Sequence, residues 1–345
     1  MIGQILRLIK LFGFRRLKKM NSRHAEALPY IRGYVSTPCL WTLLNVGFFD
    51  DLAAQGTINL DAYAAEKKWD PFVFHSIIEY LDGLKFVRRE KGFCRLDEKG
   101  KRFLEEPRGL FDLLYGYEPI FYALEDLLTG RKVYRRDVTR RLAAVARGSG
   151  ELGRQLPYPV MQDMIRAHGF TTVLDIGCGD AEFLAVLCED PKIRCWGFDL
   201  STEAVECAKQ YVAKTGLNDR ISVFVGDMFT LAEKPSECPK ADIFTAMDVF
   251  HEYLYGGRER IARLLATLKK NYPETAMLVA EFCRQPHDRL RRRPTAFLEH
   301  HLFHNLTHQV ILSQQEWEEM FRAAGYQVAE RRVFDLIGHG YFLLK

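Results

Sequence analysis

The stretch Thr171-Thr-Val-Leu-Asp175-Ile-Gly177-Cys-Gly179-Asp-Ala-Glu182 decides the fold of this 345-residue chain. Its first half, residues 171–176, is mostly apolar and β-branched, which is typical of a buried strand. Two glycines two residues apart then allow the backbone to turn sharply and to approach a ligand at the strand end. The pattern predicts a ligand-binding turn between a strand and a helix.

The pattern of strand followed by helix repeats through residues 157–345. Strands are predicted at 171–176, 193–200, 221–225, 242–247 and 277–282, with helices between them, which indicates an α/β fold with a doubly wound, mostly parallel sheet. Two further strands, 327–334 and 341–345, complete a seven-stranded sheet. The turn between them is too short for a crossover helix, so the last strand is expected to be antiparallel.

Acidic residues mark the ends of three consecutive predicted strands, and open α/β sheets bind ligands at that edge. Asp199, 24 residues after Asp175, is placed to accept hydrogen bonds from the hydroxyl groups of a ribose. Asp227 is placed to accept a hydrogen bond from an adenine amino group. A dinucleotide is disfavoured, because its fingerprint requires a small residue where Glu182 stands. The other residues expected to line the cofactor site are Gly177, Gly179, Leu200, Gly226, Met228 and Phe229.

In these features residues 157–345 resemble the class I S-adenosylmethionine-dependent methyltransferases. The DxGxG motif, the acidic end of the second strand and the Gly-Asp pair after the third form the cofactor site of that family. The resemblance implies that Asp175 and the two glycines face the methionine part of S-adenosylmethionine. It also implies that Asp199 binds the ribose and that Asp227 and Met228 contact the adenine.

Residues 1–110 predict a mainly helical winged-helix domain, with an apolar helix over 39–54 and short strands at 86–89 and 92–96. This part resembles the dimerisation domain of the small-molecule O-methyltransferase family, which implies a homodimer. The expected recognition helix, 71–81, has no Arg or Lys, so neither a nucleic-acid partner nor a regulator that only senses the cofactor is favoured. Residues 111–156 are predicted to be connecting helices.

The first 23 residues contain seven basic and no acidic side chains. Apolar residues recur among them at helical spacing, which predicts an amphipathic helix. Its apolar face is expected to pack on a second domain or a partner subunit, and an anionic membrane surface is the alternative. The apolar residues are Ile2, Ile5, Leu6, Ile9 and Phe12.

Composition narrows the class of protein further. The 49 basic and 45 acidic residues leave a net charge of only +4, which does not indicate binding to nucleic acid. The eight cysteines are scattered without a CxxC pair, which argues against a zinc ribbon or a disulfide scaffold and favours a cytoplasmic location. Because no apolar run is long enough to span a bilayer, a soluble protein is expected.

A candidate base follows the fourth strand in Met247-Asp-Val-Phe-His251-Glu252. The family usually has His-Asp at this position, so the resemblance implies that His251 is the general base and that Glu252 replaces the aspartate. Glu281, at the end of the fifth strand, matches a carboxylate that orients the imidazole ring in the family. Imidazole suits this role, because the acceptor of a methyl group must lose a proton and histidine titrates near neutral pH.

Four of the ten histidines lie between residues 299 and 308, and His300, His304 and His308 share a face if this segment is helical. One of them would complete, with His251 and Glu252, a two-histidine, one-carboxylate site for iron or zinc. Such a site resembles the metal-dependent 2-oxo-acid C-methyltransferases. His300 is the expected ligand and His301, His304 and His308 are the other candidates; the alternative is a polar helix that lines the acceptor pocket without a metal.

The sequence therefore predicts an S-adenosylmethionine-dependent methyltransferase that acts on a small molecule of secondary metabolism. The favoured reaction is C-methylation of a 2-oxo acid at a metal-assisted site with His251 as base. O-methylation of a phenol or another hydroxyl by simple base catalysis is the first alternative. C-methylation of a prenyl diphosphate is the next, since an anionic acceptor would be attracted by Arg289, Arg291, Arg292 and Arg293.

Overall fold

The computed structural model describes residues 2–105, 108–293 and 295–345, which divide into two compact units, Met1–Tyr115 and Gly116–Lys345. In the first unit the helices are α1 (Ile2–Phe12), α2 (Phe14–Asn45), α3 (Phe48–Gln55), α4 (Leu60–Lys67), α5 (Pro71–Gly83) and α6 (Glu98–Glu105), and the strands are β1 (Ile58–Asn59), β2 (Val87–Glu90) and β3 (Phe93–Leu96). Helix α7 (Gly109–Tyr122) spans the boundary between the units.

The first unit is mainly helical and carries a small antiparallel sheet in the order β1-β3-β2. Asp70 begins α5 by accepting a hydrogen bond from the Val73 amide at 3.0 Å, and Pro71 occupies the first turn, where no hydrogen-bond donor is needed. The prediction of one helix over 39–54 is wrong. Gly47, with φ +77°, separates α2 from α3, and α2 extends back to Phe14.

The predicted amphipathic N-terminal helix is α1. Much of its apolar face is exposed within this unit, with Leu6 60% accessible, and Arg16 of α2 stands over the Phe12 ring at 5.8 Å. The side chain of Ile2 lies outside the described residues. Across the described ranges no helix combines the length and the hydropathy needed to cross a membrane.

The second unit contains the large sheet and the helices that cover it. Its elements are α8 (Leu124–Leu128), α9 (Leu142–Gln155), α10 (Pro157–Ala167), β4 (Thr172–Ile176), α11 (Glu182–Leu187), β5 (Arg194–Asp199), α12 (Thr202–Thr215), β6 (Ile221–Val225), α13 (Met228–Glu233), β7 (Ile243–Met247), α14 (Glu259–Asn271), β8 (Ala276–Phe282), α15 (His287–Arg292), α16 (Phe297–Leu306), α17 (Gln314–Ala323), β9 (Val328–Phe334) and β10 (His339–Leu344), with 3-10 helices at Pro235–Glu237 and Phe250–Tyr253.

The sheet has seven strands in the order β6-β5-β4-β7-β8-β10-β9, and helices pack on both faces. Strands β4 to β8 pair in parallel, and β10 runs antiparallel to both β8 and β9. The predicted fold class is confirmed, and the bounds of the five parallel strands agree with the prediction to within one residue. Strands of a sheet that is covered on both faces are nearly continuous apolar runs, and this is the reason that these strands could be recognised.

The topology places a crevice at the carboxyl ends of β4 and β7. From β4 the chain runs outward through β5 to β6, and it then crosses back to β7 on the other side of β4. Such a reversal of strand order is the point at which open α/β sheets bind ligands. The residues that follow β4, β5, β6, β7 and β8 therefore form the candidate site.

Candidate active site

The glycine-rich turn after β4 takes the conformation that its sequence predicts. Gly177 and Gly179 have φ of +75° and +54°, and a Cβ at Gly177 would lie 2.8 Å from the Val249 side chain. The amides of Gly177 and Cys178 both donate to the carbonyl of Phe198, at 2.9 and 3.0 Å. The turn is thereby held against the end of β5, and only glycine fits its first position without strain.

Asp199 links this turn to the end of the neighbouring strand. Its Oδ2 accepts a hydrogen bond from the Gly179 amide at 3.2 Å, and its Oδ1 accepts one from the Ser201 amide at 2.8 Å. Leu200, directly after it, is 65% exposed. The structure therefore brings Asp199 and the glycine-rich turn together, as the sequence predicts for neighbouring strand ends.

Asp227 begins α13, and Gly226 precedes it. The Asp227 carboxylate accepts a hydrogen bond from the Phe229 amide at 3.1 Å, which is a helix N-cap. A Cβ at Gly226 would lie 2.9 Å from Leu231 Cδ1 and 3.3 Å from Phe198 Cβ, so a larger residue there would displace the Leu231 side chain of α13. Met228 is buried and Phe229 is half-buried.

Asp175 is a buried carboxyl in the centre of this edge. It is 4% exposed, and the hydroxyl of Thr245 on β7 donates a hydrogen bond to its Oδ1 at 2.6 Å. Burial raises the pKa of Asp175 to about 7, although the Thr245 hydrogen bond opposes the shift; the charge of Asp199 adds to it. Glu182, the residue that disfavours a dinucleotide, begins α11 and forms an ion pair with Arg154.

His251 and Glu281 form a buried pair at the ends of β7 and β8. His251 lies in the 3-10 helix, and its Nδ1 donates a hydrogen bond to Glu281 Oε2 at 2.8 Å. Glu281 Oε1 accepts hydrogen bonds from the backbone amides of Phe250, at 2.6 Å, and His251, at 3.3 Å. Burial opposes the charged imidazole, but the charge of Glu281 and its hydrogen bond outweigh burial, so the pKa of His251 is raised.

The predicted metal ligand Glu252 points to a different set of partners. Arg140, which is 8% exposed, donates from one Nη2 to both carboxylate oxygens of Glu252, at 2.9 and 3.2 Å. Gln309 also donates to Glu252 Oε1. In the structure Glu252 is thus the partner of a buried guanidinium group.

The predicted histidine helix is α16, but it ends at Leu306 and does not include His308. His304 is buried, and its ring centroid lies 5.1 Å from that of His251 and 3.9 Å from that of His300. His300 packs on Phe282 at 4.0 Å, whereas His308 has φ +57° and stacks on Tyr255. The shared face therefore holds for His300 and His304 only. Burial lowers the pKa of His304 well below its usual value.

A different group of residues has the spacing of a metal site. Asp248, His251 and Glu281 each offer a ligand atom within 4.8 Å of the others. Asp248 has φ +55°, and its Oδ1 accepts a hydrogen bond from His339 Nε2 at 2.9 Å. Sequence reasoning missed Asp248 and His339. The rule that ligands bind at strand ends was a signal for Asp248, since it follows β7 directly.

The arginine run lies on α15 and just after it, at the surface. Arg289 forms an ion pair with Asp335 at 2.7 Å, and Arg292 pairs with Asp288 one helical turn away. Arg289 also lines a surface cavity of about 520 Å³ together with Arg284 and Arg331. Such exposed pairs contribute little to stability.

The fold and this site define a class of protein, and comparison with known proteins agrees with it. The model of the methyltransferase domain family matches residues 128–331, more than half of the chain, so the chain belongs to that family. It is an S-adenosylmethionine-dependent methyltransferase of the class I type, with the fold of the small-molecule O-methyltransferases.

Individual relatives cover nearly the whole chain. A 2-ketoarginine methyltransferase of Streptomyces arginensis is 27% identical over 324 residues, which are 91% of each chain. An O-methyltransferase family protein from Burkholderia thailandensis has a TM-score of 0.70 at 16% identity, covering 93% of this chain and 97% of its own. Human N-acetylserotonin methyltransferase, solved in complex with SAM, has a TM-score of 0.64 at 18% identity, covering 94% and 97%.

The raised pKa of Asp175 predicts a stability effect that depends on pH. The folded carboxyl binds its proton more tightly than the unfolded one, so the wild type loses stability as the pH rises from about 4 to about 7. Asp175→Asn has no carboxyl at this position and should not show this loss. The free energy of unfolding of the variant minus that of the wild type should therefore grow by about 1–3 kcal/mol between pH 5 and pH 8. Urea unfolding of the cofactor-free protein measures this.

The exposed Asp219 supplies the matched control. Asp219→Asn should give the same stability difference from wild type at both pH values. An Asp175→Asn advantage that is equal at pH 5 and pH 8 would contradict the assignment of a buried, protonated carboxyl.

Proposed function

We propose that the protein methylates the carbon next to the keto group of a 2-oxo acid, with His251 as the general base. The buried His251–Glu281 pair beside the cofactor edge of the sheet is the observation that carries this proposal. The similarity to a 2-ketoarginine methyltransferase over 91% of the chain supports a 2-oxo acid as the acceptor. O-methylation of a phenol or hydroxyl remains the alternative, and the O-methyltransferase fold favours it.

The geometry supports distinct roles for the two ring nitrogens of His251. Nδ1 carries the hydrogen that is donated to Glu281, so Nε2 has the lone pair that takes a proton from the acceptor. Glu281 then stabilises the imidazolium that forms, because its carboxylate lies 2.8 Å from Nδ1. The deprotonated acceptor attacks the methyl group of the sulfonium, and this bond forms as the sulfur–methyl bond breaks.

We also propose the residue roles at the cofactor edge. Asp175, Gly177 and Gly179 border the methionine part, and Asp199 accepts hydrogen bonds from the ribose hydroxyls in place of the Gly179 amide. Asp227 accepts a hydrogen bond from the adenine. Leu200, Gly226, Met228 and Phe229 form the walls of the adenine site.

A divalent metal, iron or zinc, is the alternative that we propose for the same residues, because the one nitrogen lone pair of a neutral imidazole can bind a metal or take a proton, but not both. The set of one imidazole and two carboxylates at Asp248, His251 and Glu281 fits such an ion by ligand type and spacing. A Lewis acid would stabilise the negative charge that develops as the acceptor loses its proton, by several kcal/mol. That Glu252 and His300 serve as ligands stays a prediction: Glu252 pairs with Arg140, and His300 lies next to His304 on α16.

The homodimer is proposed for the first unit, because helices α1 and α2 leave large apolar side chains exposed there. Tyr30 is 82% exposed, Tyr34 69% and Ile31 58%, and together they form a patch on one stretch of α2. Exposed apolar patches of this kind usually mark an interface. A symmetric partner would cover the same patch on both chains.

The cofactor roles predict the effect of removing one carboxylate. Asp199→Ala should weaken the binding of S-adenosylhomocysteine by about 1–3 kcal/mol, because hydrogen bonds to a ligand in the crevice are lost. Isothermal titration calorimetry measures the change, and Asp219→Ala is the exposed control. Equal affinity of Asp199→Ala and wild type for S-adenosylhomocysteine would contradict the assignment of Asp199 to the cofactor site.

The proposed reaction predicts a product and a mutant phenotype. Incubation with S-adenosylmethionine and 2-ketoarginine should give a product methylated on carbon, identified by NMR and mass spectrometry. His251→Ala should lower the rate about 10²–10⁴-fold and leave S-adenosylhomocysteine binding intact. Metal analysis of protein without a histidine tag decides between a free and a metal-bound His251, because a stoichiometric transition metal whose removal abolishes turnover would show that the ion assists the deprotonation.

The outcomes separate the alternatives. Full activity of the chelator-treated protein would refute a role for the metal. Methylation of a phenol but not of any 2-oxo acid would favour O-methylation. Unchanged turnover by His251→Ala on an authentic acceptor would refute the assignment of the base.

The dimer is tested by light scattering. The wild type should have twice the chain mass of 40.0 kDa, and the combined change Tyr30→Ser, Ile31→Ser and Tyr34→Ser should shift it toward the monomer. Leu128→Ser, at an 87% exposed position in the other unit, is the control and should not change the mass. A monomeric wild type that binds anionic vesicles would instead favour a membrane surface as the partner of the N-terminal helix.

A further inference from the structure

A closed ring of hydrogen bonds lies beside the candidate base and contains a residue to which no role has yet been given. Gln309 is 2% exposed and follows α16. Its backbone amide donates to the carbonyl of His304 at 2.9 Å, and the next amide, that of Val310, donates to the carbonyl of His251 at 3.1 Å. The main chain therefore fixes Gln309 directly against the segment that carries the base.

The orientation of the Gln309 carboxamide is determined by its partners. Its Oε1 accepts hydrogen bonds from the hydroxyl of Thr307, at 2.7 Å, and from that of Tyr117, at 3.2 Å. Its Nε2 consequently faces Glu252 Oε1 and the Nε2 atom of His251, the latter at 3.3 Å. Tyr117, Glu252 and His251 agree with one orientation, because a donor meets the oxygen and two acceptors meet the nitrogen; the Thr307 hydroxyl is compatible with it and also lies 2.8 Å from the carbonyl of Phe303.

Arg140 closes the ring. It donates to Glu252 and, from Nη1, to the oxygen of Tyr117 at 3.2 Å. Because the Tyr117 oxygen accepts from Arg140, its hydrogen is free to be donated to Gln309. Reversal of the amide would set its oxygen against the Glu252 carboxylate and direct its N–H at the Tyr117 hydroxyl, which would lose its acceptor, and this is costly in a buried place.

We propose that Gln309 is a positioning residue that fixes the orientation of the His251 ring through a hydrogen bond from its Nε2 to His251 Nε2 at 3.3 Å. Since Nδ1 donates its hydrogen to Glu281, the bond from Gln309 requires a lone pair on Nε2. When the acceptor binds, its acidic hydrogen replaces the Gln309 N–H at this lone pair, and the proton moves to Nε2. The kinetic part of this inference rests on the proposed function, whereas the hydrogen bond in the resting protein does not.

The test that needs no acceptor is nitrogen NMR of resting protein labelled with ¹⁵N-histidine, with the His251 signals assigned by their loss in His251→Ala. Gln309→Met keeps the length of the side chain and removes its polar atoms. We expect the Nε2 signal to move toward the position of an imidazole nitrogen whose lone pair accepts no hydrogen bond. The Nδ1 signal should keep its position. An unchanged Nε2 signal would overturn the proposal.

The kinetic test uses S-adenosylmethionine and 2-ketoarginine. Gln309→Met should lower kcat about 10- to 100-fold, as expected for a misplaced base, without a change in S-adenosylhomocysteine affinity. Unchanged affinity shows at the same time that the variant is folded. Gln315→Met, at an exposed glutamine, is the matched control and should resemble wild type in both spectrum and rate.

A second variant tests the orientation of the amide while Gln309 stays in place. Thr307→Val combined with Tyr117→Phe removes both hydroxyls that fix Oε1, and it should reproduce the NMR change and the loss in kcat. A wild-type spectrum from this variant would contradict the ring of hydrogen bonds as the cause. If the wild type turns over no 2-oxo acid, the proposed function fails while the NMR result still decides the role of Gln309.

Discussion

The candidate site depends on one buried carboxylate. Glu281 has no exposure to solvent, so its charge must be compensated inside the protein. It accepts hydrogen bonds from two backbone amides in the turn after β7 and from the imidazole of His251. Loss of any one of these donors would leave part of a buried charge unpaired, and the turn, the histidine and the end of β8 are therefore held in one arrangement. The geometry of the candidate base follows from this constraint.

Local patterns were sufficient to predict the sheet and the position of its functional edge. Strands buried on both faces are continuous apolar runs, and Asp175, Asp199 and Asp227 could be located because each lies close to the carboxyl end of such a run. The first unit was harder: residues 39–54 are mostly apolar on both sides of Gly47, so periodicity could not reveal the break that this glycine makes. A glycine with positive φ ends a helix through backbone geometry, which a hydrophobic pattern does not record.

The environment of the base was not predictable from spacing alone. Arg140 and Glu252 are 112 positions apart and Tyr117 and Gln309 are 192 apart, and each side chain taken alone looks like an ordinary polar residue. The histidine spacing predicted a shared face correctly for His300 and His304, but the end of α16 at Leu306 separates His308. Only the fold shows which polar residues are buried together, and burial is what turns them into a network.

The structure also suggests why one fold serves acceptors of different chemistry. The cofactor edge is made by the turns after β4, β5 and β6, whereas the base is covered by the segment from α16 to Val310. That segment touches His251 through the ring of His304, the amide of Gln309 and one backbone hydrogen bond. Under the proposed function, substitutions in this segment would change which acceptor atom reaches Nε2 and leave the strand ends in place. The chain belongs to a methyltransferase family, and we infer that, under the proposed function, the segment from α16 to Val310 decides whether carbon or oxygen of the acceptor is methylated.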